Sequence, residues 1–304
     1  MGVVLNHAYF SKGDSMVEEL TTSFNESIEN AIQTFIEQKF QSGGLKQEFP
    51  NLLLRQDVLN LLDRYCTVVY YPLEDESNNG FRLKDVPFLD GETHDFVFIN
   101  TAQTLEKQAF TAAHELGHIW GVDEAIVHEC QLDDTAEIRE RVINRFAAVL
   151  LMPRDLFRTA VKVKAAEYLE EGKQAITLIN LVKVTVHLMN YFYAPWKAVV
   201  IRMNELQQID DNTKDRMLDQ SDDLGKEIKN FSERYIAECG YVDLQSVFPK
   251  KMIDGLPEML ERAEKCGAVP QKKIDRLRAA FDIKKTEESS TEMDGVFSLD
   301  TQEG

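Results

Sequence analysis

The 304-residue sequence has no run of about 18 apolar residues, the length that a helix needs to cross a bilayer. Its first stretch, MGVVLNHAYFSKGD, has neither the basic nor the long apolar region of a secretory signal. No two cysteines form a C-x-x-C pair, and such scattered cysteines are typical of reduced thiols; they are Cys66, Cys130, Cys239 and Cys266. These absences predict a cytoplasmic protein without a membrane segment.

Positive charge is also scarce. The chain has 34 lysines and arginines against 52 aspartates and glutamates, which gives a formal net charge of −18. Direct binding to nucleic acid without sequence preference needs a basic surface, so the composition predicts no such binding. An acidic surface favours encounter with basic partners. Acidity also keeps proteins soluble, and composition does not separate these two interpretations.

The hydrophobic content of 43% is enough for a buried core. Apolar periodicity predicts helices at 15–40, 51–66, 105–121 and 135–151, and mostly helical structure over 154–204. Two β-branched and aromatic runs, at 67–73 and 95–100, predict strands on either side of a polar segment. We therefore expect an α+β fold that is mostly helical with a small β-sheet.

Composition also divides the chain into four parts. We expect an N-terminal helical segment at 1–49, a central domain at 50–206 and a helical C-terminal region at 207–284. The remaining residues, 285–304, form a polar and acidic tail. Such a composition cannot bury enough apolar surface to offset the entropy lost on ordering, so the tail is predicted to be disordered.

The stretch TAAHELGHIW, at 111–120, contains two histidines four positions apart. His114 and His118 should lie on one helix face, where two imidazoles can bind one zinc ion. Glu115 lies about 100° further round the helix, beside the ligand face, where it can accept a proton from water as in H-E-x-x-H metalloproteases. Chance would produce this pattern in about 1% of chains of this length. A metal site is therefore the favoured interpretation over an ordinary helix.

Gly117 stands inside the same motif. A glycine in a helix interior costs roughly 1 kcal/mol relative to alanine. Its presence predicts that another part of the protein approaches the helix backbone closely at this point.

A hydrolytic zinc site needs three protein ligands and one open position. In the helix predicted at 135–151, Glu140 lies within about 40° of the centre of the apolar stripe, and Glu137 lies about 100° away. A carboxylate on a core-facing stripe is costly unless it is paired or bound to a metal. We therefore predict Glu140 as the third ligand, with Glu137 as the alternative; either could also be a solvated charge on a frayed first turn.

Two further residues compete for the third position. His128 and Cys130 are of types that bind zinc well, and they follow His118 in a segment with no clear helical pattern. A histidine and a cysteine near a helix end can equally be incidental.

Together the motifs resemble those of the ImmA/IrrE family of zinc metallopeptidases. The stretch FVFINTAQTLEKQAFTAAHELGH resembles the family's strand, polar turn and H-E-L-G-H helix, and ERVINRFAAVLLMP resembles its E-x-x-A-N-x-F-A-x-x-L-L-M-P helix. The likeness continues into TVHLMNYFYAPWKAVVIRMNEL and covers about residues 50–206. The sequence departs from the family at Ile143, where alanine is usual, and in IWGVDEA, which lacks the histidine that commonly follows.

The resemblance implies a zincin-like metallopeptidase domain with Zn²⁺ on His114, His118 and Glu140, and with Glu115 as general base. It also implies a cytoplasmic regulatory protease that cuts one partner protein, usually a helix-turn-helix transcriptional repressor of a mobile element or a stress response. The strand at 95–100 would offer its backbone edge to the substrate.

Two alternatives stay open at this level. The protein could act as an anti-repressor that inhibits its partner by binding alone, or as a zinc hydrolase of a small molecule. Glu115 favours catalysis, because a binding module has no use for a general base. The residue that stabilises the oxyanion is not identified: His187, Tyr191 and Tyr193 are candidates, and each could instead be a core-packing residue.

Overall fold

The computed structural model describes residues 2–4, 15–43, 51–75, 78–87, 92–169 and 175–284, with the side chains of 2–4 and 15–25 left out. The chain forms two compact units, Met1–Asp254 and Gly255–Gly304. The predicted acidic tail and residues 44–50 lie outside the described residues. The boundaries predicted at residues 50 and 207 stay predictions.

The first unit contains most of the secondary structure. In chain order its elements are β1 (Gly2–Val4), α1 (Ser15–Ser42), α2 (Asp57–Leu62), β2 (Thr67–Tyr71), β3 (Gly80–Pro87), β4 (Thr93–Asn100), α3 (Leu105–Trp120), α4 (Val122–Glu129), α5 (Ala136–Leu151), α6 (Arg154–Glu167), β5 (Ala175–Thr177), α7 (Leu178–Phe192), α8 (Trp196–Glu205), α9 (Asp211–Leu218), α10 (Asp223–Glu238), a 3-10 turn (Val242–Leu244) and β6 (Met252–Ile253). The second unit contains α11 (Leu256–Cys266) and α12 (Gln271–Ala280).

The structure confirms the predicted α+β class, mostly helical with a small sheet. The helix predicted at 51–66 is shorter, because Arg55 has a φ of 49°, a left-handed conformation that interrupts a right-handed helix. The segment around His128, which has no clear helical pattern in the sequence, is the helix α4. None of the described helices combines the length and the apolar composition that crossing a membrane requires.

The sheet of the first unit has four strands in the order β3-β4-β2-β6. Strands β2 and β4 are parallel, and the other two pairings are antiparallel. Because β4 is hydrogen-bonded on both sides, the prediction that residues 95–100 offer a free backbone edge is wrong. Strand β3 has no second partner among the described residues, so it is the edge strand on this side.

Strand β3 was not predicted; in its sequence GFRLKDVP the alternation of apolar and polar residues covers only Phe81 to Lys84 before Asp85 breaks it. Its register against β4 is irregular between Leu83 and Val86. Asp85 takes a φ of 52° at this point, and its backbone N–H donates to Asp95 Oδ1 at 2.9 Å. The irregularity is a bulge of the kind that bends edge strands.

One face of this sheet is covered by α3. A Cβ atom placed on Gly80 would lie 2.9 Å from Thr111 Cγ2, so the helix passes directly over that strand position. Gly80 pairs with Ile99, and side chains two residues apart share a face, so Val97 and Ile99 also point towards α3. Both are fully buried.

Helices α3 and α5 pack closely at Gly117. A Cβ atom on Gly117 would lie 2.8 Å from Phe146 Cδ1 and 3.1 Å from Ile143 Cδ1. The prediction that something approaches the helix backbone here is confirmed. Ile143, one of the departures from the family motif, is thus a residue that seats α5 against the glycine.

Helix α1 is joined to the rest of the first unit by a buried carboxylate. Glu29 accepts from Arg202 at 2.6 and 2.8 Å in a two-pronged pair, and the whole Arg202 side chain is buried. Arg145 and Arg154 lie 3.6 Å from the same carboxylate. One carboxylate therefore connects α1, α5, α6 and α8.

Candidate metal centre

The caps of α3 and α5 fix where these two helices end and begin. Helix α3 ends at Gly121, whose φ of 69° is the left-handed conformation that glycine adopts without strain. Helix α5 begins after Thr135, whose side-chain oxygen accepts from the backbone N–H of Ile138. Arg139 then binds Asp123 of α4 at 3.1 Å and Asp134 at 2.6 Å, which fixes the first turn of α5 beside α4.

The next residue, Glu140, faces the two histidines of α3. His114 Nε2 and His118 Nε2 lie 3.2 Å apart. Glu140 Oε2 is 3.4 Å from His114 Nε2, and Glu140 Oε1 is 3.4 Å from His118 Nε2. The structure thus brings together the three residues that the sequence proposes as ligands, and this group could hold a metal ion.

The donor set and its spacing fit zinc. Two imidazoles and one carboxylate form one of the ligand sets known for catalytic zinc. Ligands at about 2.0–2.1 Å in a tetrahedral arrangement lie about 3.3 Å from one another. The three observed edges, 3.2, 3.4 and 3.4 Å, are of that size.

Burial favours the neutral form of both histidines, which is the form that binds metals. Burial lowers the pKa of His114, and the neighbouring His118 lowers it further, against the opposite effect of Glu140. Burial likewise lowers the pKa of His118. Asn144 Oδ1 lies 3.1 Å from His114 Nδ1, so Nδ1–H can donate to the amide and Nε2 is left with its lone pair towards the cluster.

Asn144 contacts a residue of the cluster, and the sequence alone suggested no role for it. It lies one helical turn after Glu140 and corresponds to the asparagine of the E-x-x-A-N motif, so the signal was present in the sequence. Its contact with a ligand residue 30 positions away is decided by the packing of α3 against α5.

We expect Asn144→Ala to weaken zinc binding by about 10–100-fold, the usual effect of removing a hydrogen-bond partner of a ligand histidine. The side chain is exposed, so the melting temperature of the zinc-free protein should stay close to that of the wild type. Competition with a zinc chelator measures the affinity, and Arg141→Ala, at an exposed position of the same helix, is the matched control. Equal affinities for Asn144→Ala and Arg141→Ala would contradict the assigned role.

Glu115 lies beside the cluster and is only 7% exposed. Burial raises its pKa to about 7, against a lowering by Arg82, and Glu140 adds a smaller increase. Its carboxylate makes no side-chain hydrogen bond to any residue that the structure describes. A carboxylate with a pKa near neutrality and free oxygens is suited to accepting and returning a proton.

One argument that selected Glu140 needs correction. The side chain is 54% exposed, so its carboxylate does not lie in the apolar core as the sequence reasoning assumed. Its helical angle does point it towards the two histidines of α3, but at a position that solvent reaches. Glu140 therefore lies in the cluster for its helical angle, and the burial argument for it is wrong.

The competing ligands lie elsewhere. Glu137 is exposed and is not part of the cluster. His128 is exposed at the end of α4, beside a surface cavity of about 500 Å³ that Arg139 also lines. Burial raises the pKa of the Cys130 thiol, and this residue too is not part of the cluster.

The three candidates for oxyanion stabilisation also have other surroundings. Both ring nitrogens of His187 are occupied, Nε2 by the Tyr168 hydroxyl at 2.8 Å and Nδ1 by the Tyr241 hydroxyl at 2.7 Å. Tyr193 is buried with the Arg55 guanidinium over its ring. Tyr191 is exposed and stacks edge-on against its neighbour Phe192.

The chain was compared with curated proteins, solved structures and protein-family models. No curated protein matches the chain. One similar solved structure is a Mycobacterium tuberculosis transcriptional regulator, at 18% identity and a TM-score of 0.38, over 62% of this chain and 51% of that one. The chain thus spans about half the length of that relative. The family model of the IrrE N-terminal-like domain, Peptidase M78, matches residues 63–204. These residues contain the whole metal cluster, and the match confirms the resemblance to the ImmA/IrrE family over this part of the chain.

Proposed function

We propose that the protein is a site-specific zinc endopeptidase that cleaves one cytoplasmic partner, a helix-turn-helix transcriptional repressor of a mobile element or a stress response. The observation that carries the proposal is the convergence of His114, His118 and Glu140 beside the buried carboxylate of Glu115. Ligands alone would suit a structural metal site. A general base next to an exposed third ligand suits hydrolysis.

The residues of the site take complementary roles. Zinc held by the three ligands would act as a Lewis acid that polarises a carbonyl group and makes water more acidic. Glu115 accepts the proton that the attacking water loses, and it returns that proton to the leaving amine. Asn144 keeps His114 in the tautomer whose Nε2 faces the ion.

The substrate segment is proposed to bind along β3. Among the described residues this strand has no partner on its outer side, and α3 passes over its face at Gly80. An extended segment could pair with that edge by main-chain hydrogen bonds and lie across the groove between the strand and the helix. Such binding needs a loosened segment of the partner, so folded proteins and general substrates such as casein should be cut poorly.

The charge of the chain supports a basic partner. A net charge of −18 attracts a DNA-binding protein through long-range electrostatics, and salt screens that attraction. The association rate with the repressor should therefore fall as ionic strength rises.

The test is to mix the purified chain with the repressor that is encoded nearest to its gene. We expect discrete repressor fragments with the zinc-loaded wild type and none after chelation. Glu115→Gln should lower the cleavage rate by at least about 100-fold, because proton transfer by a positioned side chain contributes about 10²–10⁴-fold to rates. Electrophoresis with mass spectrometry identifies the cleaved bond, and Glu124→Gln, an exposed carboxylate on α4, is the control.

The same experiment separates catalysis from binding alone. If the repressor stays intact while wild type and Glu115→Gln block its DNA binding equally, the protease proposal is wrong and the protein is an anti-repressor. Fragments that persist in Glu115→Gln would instead show that another group is the base.

A further inference from the structure

The neighbourhood of Glu115 contains an arginine that the proposed mechanism does not yet use. Gly80 of β3 lies under Thr111 of α3. Two residues further along the strand, a step of about 6.6 Å, is Arg82, and four residues further along the helix, a step of about 6 Å, is Glu115. Gly80 and Arg82 share the α3 face of the sheet, so the Arg82 side chain points towards the part of α3 that contains Glu115.

Electrostatics agrees with this placement. The positive charge of Arg82 lowers the pKa of both Glu115 and His118.

The donors of Arg82 are unused. Its one ion pair is a long one, 3.9 Å from Nη1 to Asp95 Oδ2, and its side chain is 20% exposed. It makes no side-chain hydrogen bond to any residue that the structure describes. Asp95 is itself held by the backbone N–H of Asp85 at the bulge of β3. The ion pair with Asp95 is too long for a hydrogen bond, so the N–H groups of Arg82 stay available on this face of the sheet.

We propose that Arg82 donates hydrogen bonds to the oxyanion that forms on the scissile carbonyl, an inference that rests on the proposed peptidase function. The requirement for such a donor is general, since negative charge develops on the carbonyl oxygen in peptide hydrolysis. Arg82 lies on the strand whose free edge would hold the substrate, so it can reach a carbonyl placed between β3 and α3. The earlier candidates have other contacts: His187 bonds to two tyrosine hydroxyls, Tyr193 packs against Arg55, and Tyr191 packs against Phe192.

The reaction balances without a further reactant. Water gives one proton to Glu115, and its oxygen forms a bond to the carbonyl carbon. The electron pair of the carbonyl π bond moves to the carbonyl oxygen, which becomes the anion that Arg82 contacts. That pair then returns, the C–N bond breaks, and the amine leaves with the proton from Glu115. One water is consumed, and one carboxyl group and one amine are formed.

The variants that test the inference are Arg82→Met and Arg82→Lys, in the zinc-loaded full chain. Asp95→Asn removes the ion-pair partner and keeps the guanidinium. Lys84→Met, on the same strand with a 65% exposed side chain, removes an equal charge elsewhere. The probe is a phosphinic analogue of trialanine, whose tetrahedral phosphinate mimics the oxyanion and whose binding is measured by calorimetry.

We expect Arg82→Met to keep its zinc and its melting temperature, and to bind the phosphinate at least about tenfold more weakly, with kcat on the repressor lower by about 10²–10³-fold and KM nearly unchanged. Arg82→Lys should fall between Arg82→Met and the wild type. Lys84→Met and Asp95→Asn should each stay within about threefold of the wild type in phosphinate affinity, because both retain the donor.

Equal phosphinate affinity in Arg82→Met and wild type would overturn the inference. A loss of affinity in Asp95→Asn as large as in Arg82→Met would also overturn it, because it would show that the two residues form a structural ion pair. Failure of the wild type to bind the phosphinate would also overturn it. If the wild type binds the phosphinate in an Arg82-dependent way but cleaves no repressor, the inference stands and the proposed substrate is wrong.

Discussion

Zinc should be lost from His114→Ala, His118→Ala and Glu140→Ala, and it should remain in Glu115→Gln. The three ligand atoms lie 3.2–3.4 Å from one another, so removing any one leaves two donors, fewer than the three protein ligands of a catalytic zinc site. Glu115 is outside the cluster, and its amide substitute keeps the shape of the carboxylate. Metal analysis of the purified variants should give one zinc per chain for wild type and Glu115→Gln.

The matched controls are Glu137→Ala and Cys130→Ala, which remove the competing ligand candidates. Both should retain full zinc. Full occupancy in Glu140→Ala, together with loss in either control, would contradict the assignment of the third ligand. Because Glu140 is exposed, the zinc-free fold of Glu140→Ala should be as stable as that of the wild type, which separates loss of the metal from loss of the fold.

Glu29→Ala should destabilise the first unit by about 3–5 kcal/mol, the cost of removing one partner of a buried ion pair. The substitution leaves Arg202 fully buried without its two hydrogen bonds at 2.6 and 2.8 Å. It also removes the carboxylate that lies next to Arg145 and Arg154. Urea unfolding measures the change, and Glu26→Ala, at an exposed position one turn earlier on α1, is the control.

The effect should depend on pH. Burial opposes ionisation of Glu29, but the arginines outweigh it and hold the pKa of the folded state below the ordinary value of 4.5. A carboxylate with a lowered pKa stabilises the fold fully above its unfolded pKa, and that contribution is lost as pH falls through the folded pKa. The stability difference between wild type and Glu29→Gln should therefore be constant near neutrality and shrink below about pH 4.5. A difference that grows towards acid pH would contradict this assignment.

The buried pair also allows a test by compensation. Glu29→Leu with Arg202→Met replaces both charges by apolar groups, and such replacement is often neutral or stabilising. The double variant should be more stable than Glu29→Ala. A double variant that is less stable would show that the carboxylate has a role beyond neutralising the arginines, such as orienting α1.

The sequence by itself determined the part of the site that lies within single helices. The spacing of His114 and His118 fixes both imidazoles on one face, and the helical angle of Glu140 turns it towards them, because a helix repeats every 3.6 residues whatever surrounds it. Gly117 likewise predicted that another element packs closely against the backbone of α3, although the sequence did not show which one. The strands β2 and β4 were predicted for the same local reason, since β-branched and aromatic runs favour extended backbone.

The contacts between residues far apart in the sequence are visible only in the tertiary structure. The sequence contains Asn144, Arg82 and Glu29, but their partners lie 30, 33 and 173 residues away, at His114, Glu115 and Arg202. Local periodicity carries no information about such pairs. The alternation in β3 covers only four residues, too few to predict the strand by itself, and β4 supplies the backbone partners that make it one. The burial of a side chain also depends on the assembled protein. Glu140 is exposed and Glu29 is buried because different elements pack around them, and the position of a residue on its helix does not determine its burial.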